Sequence, residues 1–118
     1  MPPIVVNIHA KDLRKRGYAD LADWARQPNH VYIGRRNRFV AGATESIWAN
    51  PFKLTDVDRV SCLYSYEKYM RDRLMREPEL RDELKELKRV LGSDGEVGCW
   101  CHPQGCHGDV LLKLLLEI

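Results

Sequence analysis

Three short runs rich in β-branched residues, IVVNIH at 4–9, HVYIGR at 30–35 and EVGCWC at 96–101, are separated by segments with helical spacing, and this alternation limits the fold more than any other feature. Leu13, Tyr18, Leu21, Trp24 and Ala25 mark an apolar stripe that Gly17 interrupts, which predicts a short helix from about Tyr18. Val60, Leu63, Tyr64, Met70 and Leu74 recur at three- and four-residue spacing and predict a long helix over 60–75, with Asp56 or Asp58 as its cap. Pro78 breaks that pattern, Leu80, Leu84, Leu87 and Leu91 resume it over 79–91, and Gly92 supplies a stop. A last apolar helix is expected over 109–118. Strands alternating with helices give an α/β domain: a short, at least partly parallel sheet covered by helices, a Rossmann-like sandwich spanning 1–118 as one unit.

Hydrophobic residues make up 44% of the chain and charged residues 31%, a globular balance, and no apolar run approaches the roughly 18 residues a membrane span needs. The opening MPPIVVNIHAKD lacks a charged leader and is too short in its apolar part for a secretory signal, so the expectation is a first strand in a cytoplasmic protein with no membrane partner. Four cysteines in that setting argue for metal or thiol chemistry over a disulfide framework.

Three of those cysteines, Cys99, Cys101 and Cys106, and two of the four histidines, His102 and His107, fall within the nine positions 99–107. The cluster sits on a strand-to-helix turn. Cys99 and Cys101, one residue apart on a strand, share a face with Cα atoms about 6.5 Å apart. Cys106 and His107 follow a turn containing Pro103 and Gly105, so Cys99, Cys101, Cys106 and His107 can supply four ligands to a tetrahedral zinc, with His102 as a spare. An iron–sulfur cluster would need Cys62 as its fourth thiolate. Cys106 just ahead of a helix is alternatively a nucleophilic thiolate beside His107. A third reading makes Cys99 and Cys101 small buried residues and His107 and Asp109 caps of the last helix.

Ligand sites in open α/β sheets lie outside the carboxyl ends of the strands. Two loops leave strands at that edge, one after VYIG and one after VGCWC. In the first, Gly34 permits a sharp turn, and Arg35, Arg36 and Arg38 offer fork-shaped donors for phosphate or carboxylate. Trp48 can stack on a base and Asn50 can read polar edges, a combination suited to a nucleotide or single-stranded nucleic acid. Trp48 and Phe52 can equally seal the core, with Asn50-Pro51 as a turn. Residues 11–38 hold eight basic side chains against three acids in a chain whose net charge is only +2, so an anionic partner would meet this third of the molecule.

The series Tyr32-Ile33-Gly34-Arg35, Asn50-Pro51-Phe52, a long helix, then Gly98-Cys99-Trp100-Cys101, Pro103 and Cys106-His107-Gly108-Asp109 resembles the family called domain of unknown function 4326, over a core of about 30–116. That family occurs in bacteria and phages. The resemblance implies a link to nucleotide or nucleic-acid metabolism and supplies no established activity.

Two functions are compatible with these residues. In the first, zinc held by Cys99, Cys101, Cys106 and His107 fixes the loop while Gly34, Arg35, Arg36, Trp48 and Asn50 bind a nucleotide or nucleic-acid ligand. In the second, a small enzyme acts on a nucleotide or nucleoside with Asp109, Glu45 or His107 as acid or base and Cys106 as nucleophile. The zinc-deaminase pattern, H-x-E with P-C-x2-C, is absent, as are the Walker and G-x-G-x2-G phosphate loops. The residues alone leave the oligomeric state open.

Overall fold

The computed structural model describes residues 2–52, 58–101 and 104–118. Three strands, β1 (Ile4–Asn7), β2 (His30–Tyr32) and β3 (Glu96–Cys99), form one sheet in the order β1-β3-β2, with both pairings parallel. Val97 faces Val5 on one side and Val31 on the other, so the last strand in sequence is the central strand in space. The expected α/β architecture is present, and the sheet is parallel throughout.

Alternation along the strands sorts side chains onto two faces. Val5, Val97, Cys99 and Ile33 point to one core, built with α3 (Arg59–Arg76), α4 (Pro78–Leu91) and α5 (His107–Leu116). Val6 and Ile8 point to the other, with Leu13 of α1 (Ala10–Lys15), Leu21 and Trp24 of α2 (Leu21–Trp24). Gly98 of β3 lies on this second face, where a Cβ would come within 2.6 Å of Ile8 and 2.7 Å of Trp24. The missing side chain is what lets the fully buried indole approach the strand so closely.

Several boundaries differ from the expected ones. The stripe broken at Gly17 is two helices, because His9 to Lys15 already turns before the glycine and Asp20 caps a second start through Asp23 N at 2.8 Å. The strands stop at Asn7, Tyr32 and Cys99, earlier than 9, 35 and 101, because the chain leaves the ladder to build loops at the carboxyl edge. Asp58 caps α3 through Ser61 N at 2.8 Å, while Asp56 lies outside the described residues. Pro78 occupies the first turn of α4, where its missing N–H costs nothing. The last helix begins at His107, two residues sooner than expected, since Cys106 and Asp109 cap it together. Among the described residues no helix is long and apolar enough to cross a membrane.

Candidate functional site

The loop after β2 and the turn after β3 leave the same edge of a parallel sheet, and they wall a cleft of about 880 Å³ there. Gly34, Arg35, Arg36, Arg38 and Phe39 form one wall, and Trp100, Cys101, Gly105, Cys106 and His107 form the other. Arg59, Cys62 and Leu63 of α3, with Asn37, Asn50 and Phe52 from the intervening loop, complete it. The cysteine cluster and the arginine loop thus share one cavity, at the edge where parallel sheets bind ligands.

Local chemistry holds each wall. Trp100 donates its indole N–H to the Tyr32 hydroxyl at 2.9 Å, and that hydroxyl donates to the Arg35 carbonyl, so the end of β3 is tied to the exit of β2. Arg35 reaches back to the carbonyls of Asn50 and Phe52 at 2.7 and 2.9 Å. Arg59 donates to the Gly105 carbonyl at 2.7 Å and to Gln104 Oε1 at 2.6 Å, clamping the turn before α5. Two of the four arginines are therefore spent on the walls. Arg36 uses its backbone N–H on Glu45, at 2.7 Å, and its guanidinium meets no acceptor among the described residues. Arg38 lies over the ring of Phe39 at 5.0 Å, and Phe39 is 84% exposed while lining the cleft.

The N-terminus of α5 abuts this space. A Cβ on Gly108 would meet Ile33 at 3.0 Å and Val5 at 3.1 Å, so the first turn packs directly on the sheet. Cys106 Sγ accepts from Gly108 N at 3.3 Å, and Asp109 accepts from Cys106 N at 3.0 Å, forming a reciprocal cap. Cys106 Sγ also meets Cys99 Sγ at 2.7 Å. That contact, together with burial, pushes the Cys106 thiol up, so it is protonated and a poor nucleophile near neutrality. His107 bonds through Nε2 to the Ile33 carbonyl at 2.7 Å, and its ring stands edge-on to Tyr66 with centroids 5.2 Å apart. Because a carbonyl only accepts, Nε2 carries the proton. Burial holds the imidazole below its ordinary pKa, against the opposing pull of that bond, so the ring is neutral.

The expected site residues separate accordingly. Gly34, Arg35, Arg36, Asn50, Cys101, Cys106 and His107 line the cleft together. Asn50 does so with its side chain engaged, Oδ1 accepting from Phe52 N at 2.9 Å and Nδ2 donating to Cys62 Sγ at 3.3 Å. Trp48 is not a stacking platform in this arrangement. It is 4% exposed in the helical core, with its carbonyl bonded to the Tyr66 hydroxyl, because an apolar ring on a loop crossing that core is better placed out of water. Glu45 and Asp109 lie outside the cleft lining, one held by the Arg36 amide and the other by the helix cap. Cys99 and Cys106 meet, but among the described residues no three Cys, His, Asp or Glu side chains gather as an ion site, and His107 turns Nε2 to Ile33 instead. His102 lies outside the described residues.

Phe39, Trp100 and Arg59 were not among the expected ligand residues. The signal for Trp100 was present, since one residue between two cysteines on a strand must face opposite to them and toward the loop after β2. Phe39 lay beside three arginines in the same run. Residues 18–117 match a family model described as a domain of unknown function, so the match begins at Tyr18, ahead of the expected core. Comparison with curated proteins and with solved structures gives no match.

Proposed function

The chain belongs to that family, DUF4326, and we propose that it binds a nucleotide-type ligand, an aromatic base carrying phosphate, in the cleft at the carboxyl edge of its sheet. One observation carries this reading: among the described residues the cleft lining holds four arginines and no carboxylate, next to the three aromatic rings of Phe39, Phe52 and Trp100. Uncompensated arginine forks in a concave site recognise phosphate or carboxylate. The exposed ring of Phe39 and the edge of Trp100 add faces on which a planar base can stack. A volume of about 880 Å³ lies within the range of small-molecule sites, which favours a free nucleotide over a strand of nucleic acid.

Binding is favoured over catalysis by the state of the acid–base groups. Asp109 is committed to the cap, Glu45 to a backbone amide, and Cys106 is held as a thiol. His107 alone keeps a ring nitrogen, Nδ1, without a partner among the described residues. A hydroxyl-bearing sugar would find an acceptor there.

Thermal unfolding in the presence of adenosine, guanosine, cytidine and uridine monophosphates and diphosphates tests the reading. A ligand at 100 times its Kd adds about 2.7 kcal/mol to stability, and the effect should fall with salt and vanish for the unphosphorylated nucleosides. If none of the nucleotides shifts the midpoint, the reading fails. If single-stranded DNA or RNA alone shifts it, the ligand is nucleic acid.

A further inference from the structure

We propose that Cys99 and Cys106 form a redox-active dithiol that closes to a disulfide at the floor of the cleft. The inference stands apart from the ligand reading, since it needs only the two sulfurs. Cys99 ends β3 and Cys106 caps α5, and their Sγ atoms touch at 2.7 Å although both residues are buried. Sulfurs in contact need no backbone travel to bond, which is the usual obstacle to a disulfide between two arbitrary positions. The pairing is also selective. Cys62 also lines the cleft, but its Sγ is engaged by the Phe52 carbonyl and Asn50 Nδ2, each at 3.3 Å. Cys106 lines the cleft at 2% exposure and Cys99, at 1%, does not, so of the pair Cys106 is the sulfur that a reagent in the cleft meets.

The chemistry is thiol–disulfide exchange with a low-molecular-weight disulfide such as oxidised glutathione. Cys106, as thiolate, attacks one sulfur of the reagent, breaking its S–S bond and releasing one thiol that takes up the proton. Cys99, losing its own proton, then attacks the Cys106 sulfur and expels the second thiol. Two protein thiols are oxidised and one reagent disulfide is reduced to two thiols. The contact with Cys99 raises the Cys106 thiol, so exchange is slow near neutrality and accelerates with pH. The product closes a short loop around Trp100, Cys101 and Gly105, all of which line the cleft.

The full chain is incubated with oxidised glutathione at about pH 8.5, remaining thiols are alkylated, and the tryptic peptide 90–113, which contains Cys99, Cys101 and Cys106 and no internal Lys or Arg, is fragmented by mass spectrometry. The expected product is lighter by two hydrogens, unalkylated at Cys99 and Cys106, alkylated at Cys101, and restored by dithiothreitol. The thermal midpoint of the intact oxidised chain should rise by about 8 °C, from the entropy of closing a short loop. Cys99→Ala and Cys106→Ser should each abolish the loss of hydrogens, and Cys101→Ser should leave it unchanged. Serine is itself a good cap, so Cys106→Ser keeps α5 intact. Recovery of both cysteines as free thiols, a lasting glutathione adduct on Cys106, a bond to Cys62 or Cys101, or protection of the pair by a metal ion found in the purified protein would each overturn the proposal.

Discussion

His107 donates through Nε2 to the carbonyl of Ile33 at 2.7 Å, joining the first residue of α5 to the residue that follows β2. The bond draws the helix N-terminus against the sheet edge, and it does so with a neutral ring. Burial lowers the native pKa below the ordinary 6.5, so between the two values the unfolded chain binds a proton that the folded chain does not. Stability should therefore be full above about pH 6.5 and fall as pH drops through that value toward the native pKa. Urea unfolding at about pH 7.5 and 5.5 checks this: the wild type should lose on the order of 1 kcal/mol between them, and His107→Gln should lose clearly less. Equal losses in both proteins would remove the linkage.

Glu96 produces a separate step at lower pH. Its carboxylate is partly buried, which pushes its pKa up, but hydrogen bonds from Arg16, at 2.9 and 2.6 Å, and from Trp24 Nε1, at 2.9 Å, outweigh burial and hold it below the ordinary 4.5. A carboxylate lowered in the native state adds stability above its unfolded pKa and loses it as pH falls through the native one. Glu96→Gln should flatten the decline in stability below about pH 4.5 and leave the His107 step in place, a difference that unfolding curves at about pH 3.5 and 5 resolve.

Gly98→Ala should destabilise by roughly 1–3 kcal/mol, the usual range for overpacking. The added methyl falls within 2.7 Å of a Trp24 ring that is fully buried and anchored to Glu96, so neither neighbour can yield without losing a contact. Denaturant unfolding reads the change. A loss under 0.5 kcal/mol would mean that the indole has room to move.

What the sequence made legible follows from how local each signal is. Helix α4 was readable from its four leucines and proline start, and α3 from its length and aspartate cap. Val60 and Tyr64 of the expected α3 stripe nevertheless face solvent, and the helix buries Cys62 and Tyr66 along with Met70, a face whose cysteine and tyrosine read as less apolar than valine. The cleft's two walls were readable because both loops leave strands of one parallel sheet. The two readings of Trp48 could not be separated, because an aromatic residue in a polar loop looks the same whether it faces solvent or a core assembled from Tyr66 and Met70, many residues away. For Asp109 and Asn50 the letters left a ligand or catalytic role open beside a cap and a turn, because the backbone amides that each accepts from, of Cys106 and of Phe52, are displayed by no residue letter. The Cys99–Cys106 pairing depends on how far α5 is drawn in, which Gly108 and the His107–Ile33 bond decide in three dimensions.

Tyr66 places its hydroxyl on the Trp48 carbonyl at 2.7 Å inside the helical core, pinning the loop that separates the arginine wall from α3. Tyr66→Phe leaves that carbonyl buried without its donor, which costs about 1–3 kcal/mol. The thermal midpoint should fall accordingly, while nucleotide affinity measured well below the new midpoint should hold, since neither residue lines the cleft. Loss of affinity with an unchanged midpoint would place Tyr66 in the site.

The arginines of the cleft should divide by what they already hold. Arg35 is fixed on two carbonyls of the Asn50–Phe52 turn, so Arg35→Ala should lower both the thermal midpoint and ligand affinity. The Arg36 guanidinium has no acceptor among the described residues and lines the same space, so it is the side chain with charge to spare for a phosphate. Arg36→Ala should leave the midpoint of the free protein within about a degree and weaken nucleotide binding roughly tenfold, the effect of about 1.4 kcal/mol. Calorimetric titration at two salt concentrations should also show a shallower salt dependence in that variant, because one ionic contact is gone. If Arg36→Ala binds as tightly as the wild type while Arg38→Ala does not, the phosphate lies at the Phe39 rim. If neither loses affinity, the arginine wall is not the anion site.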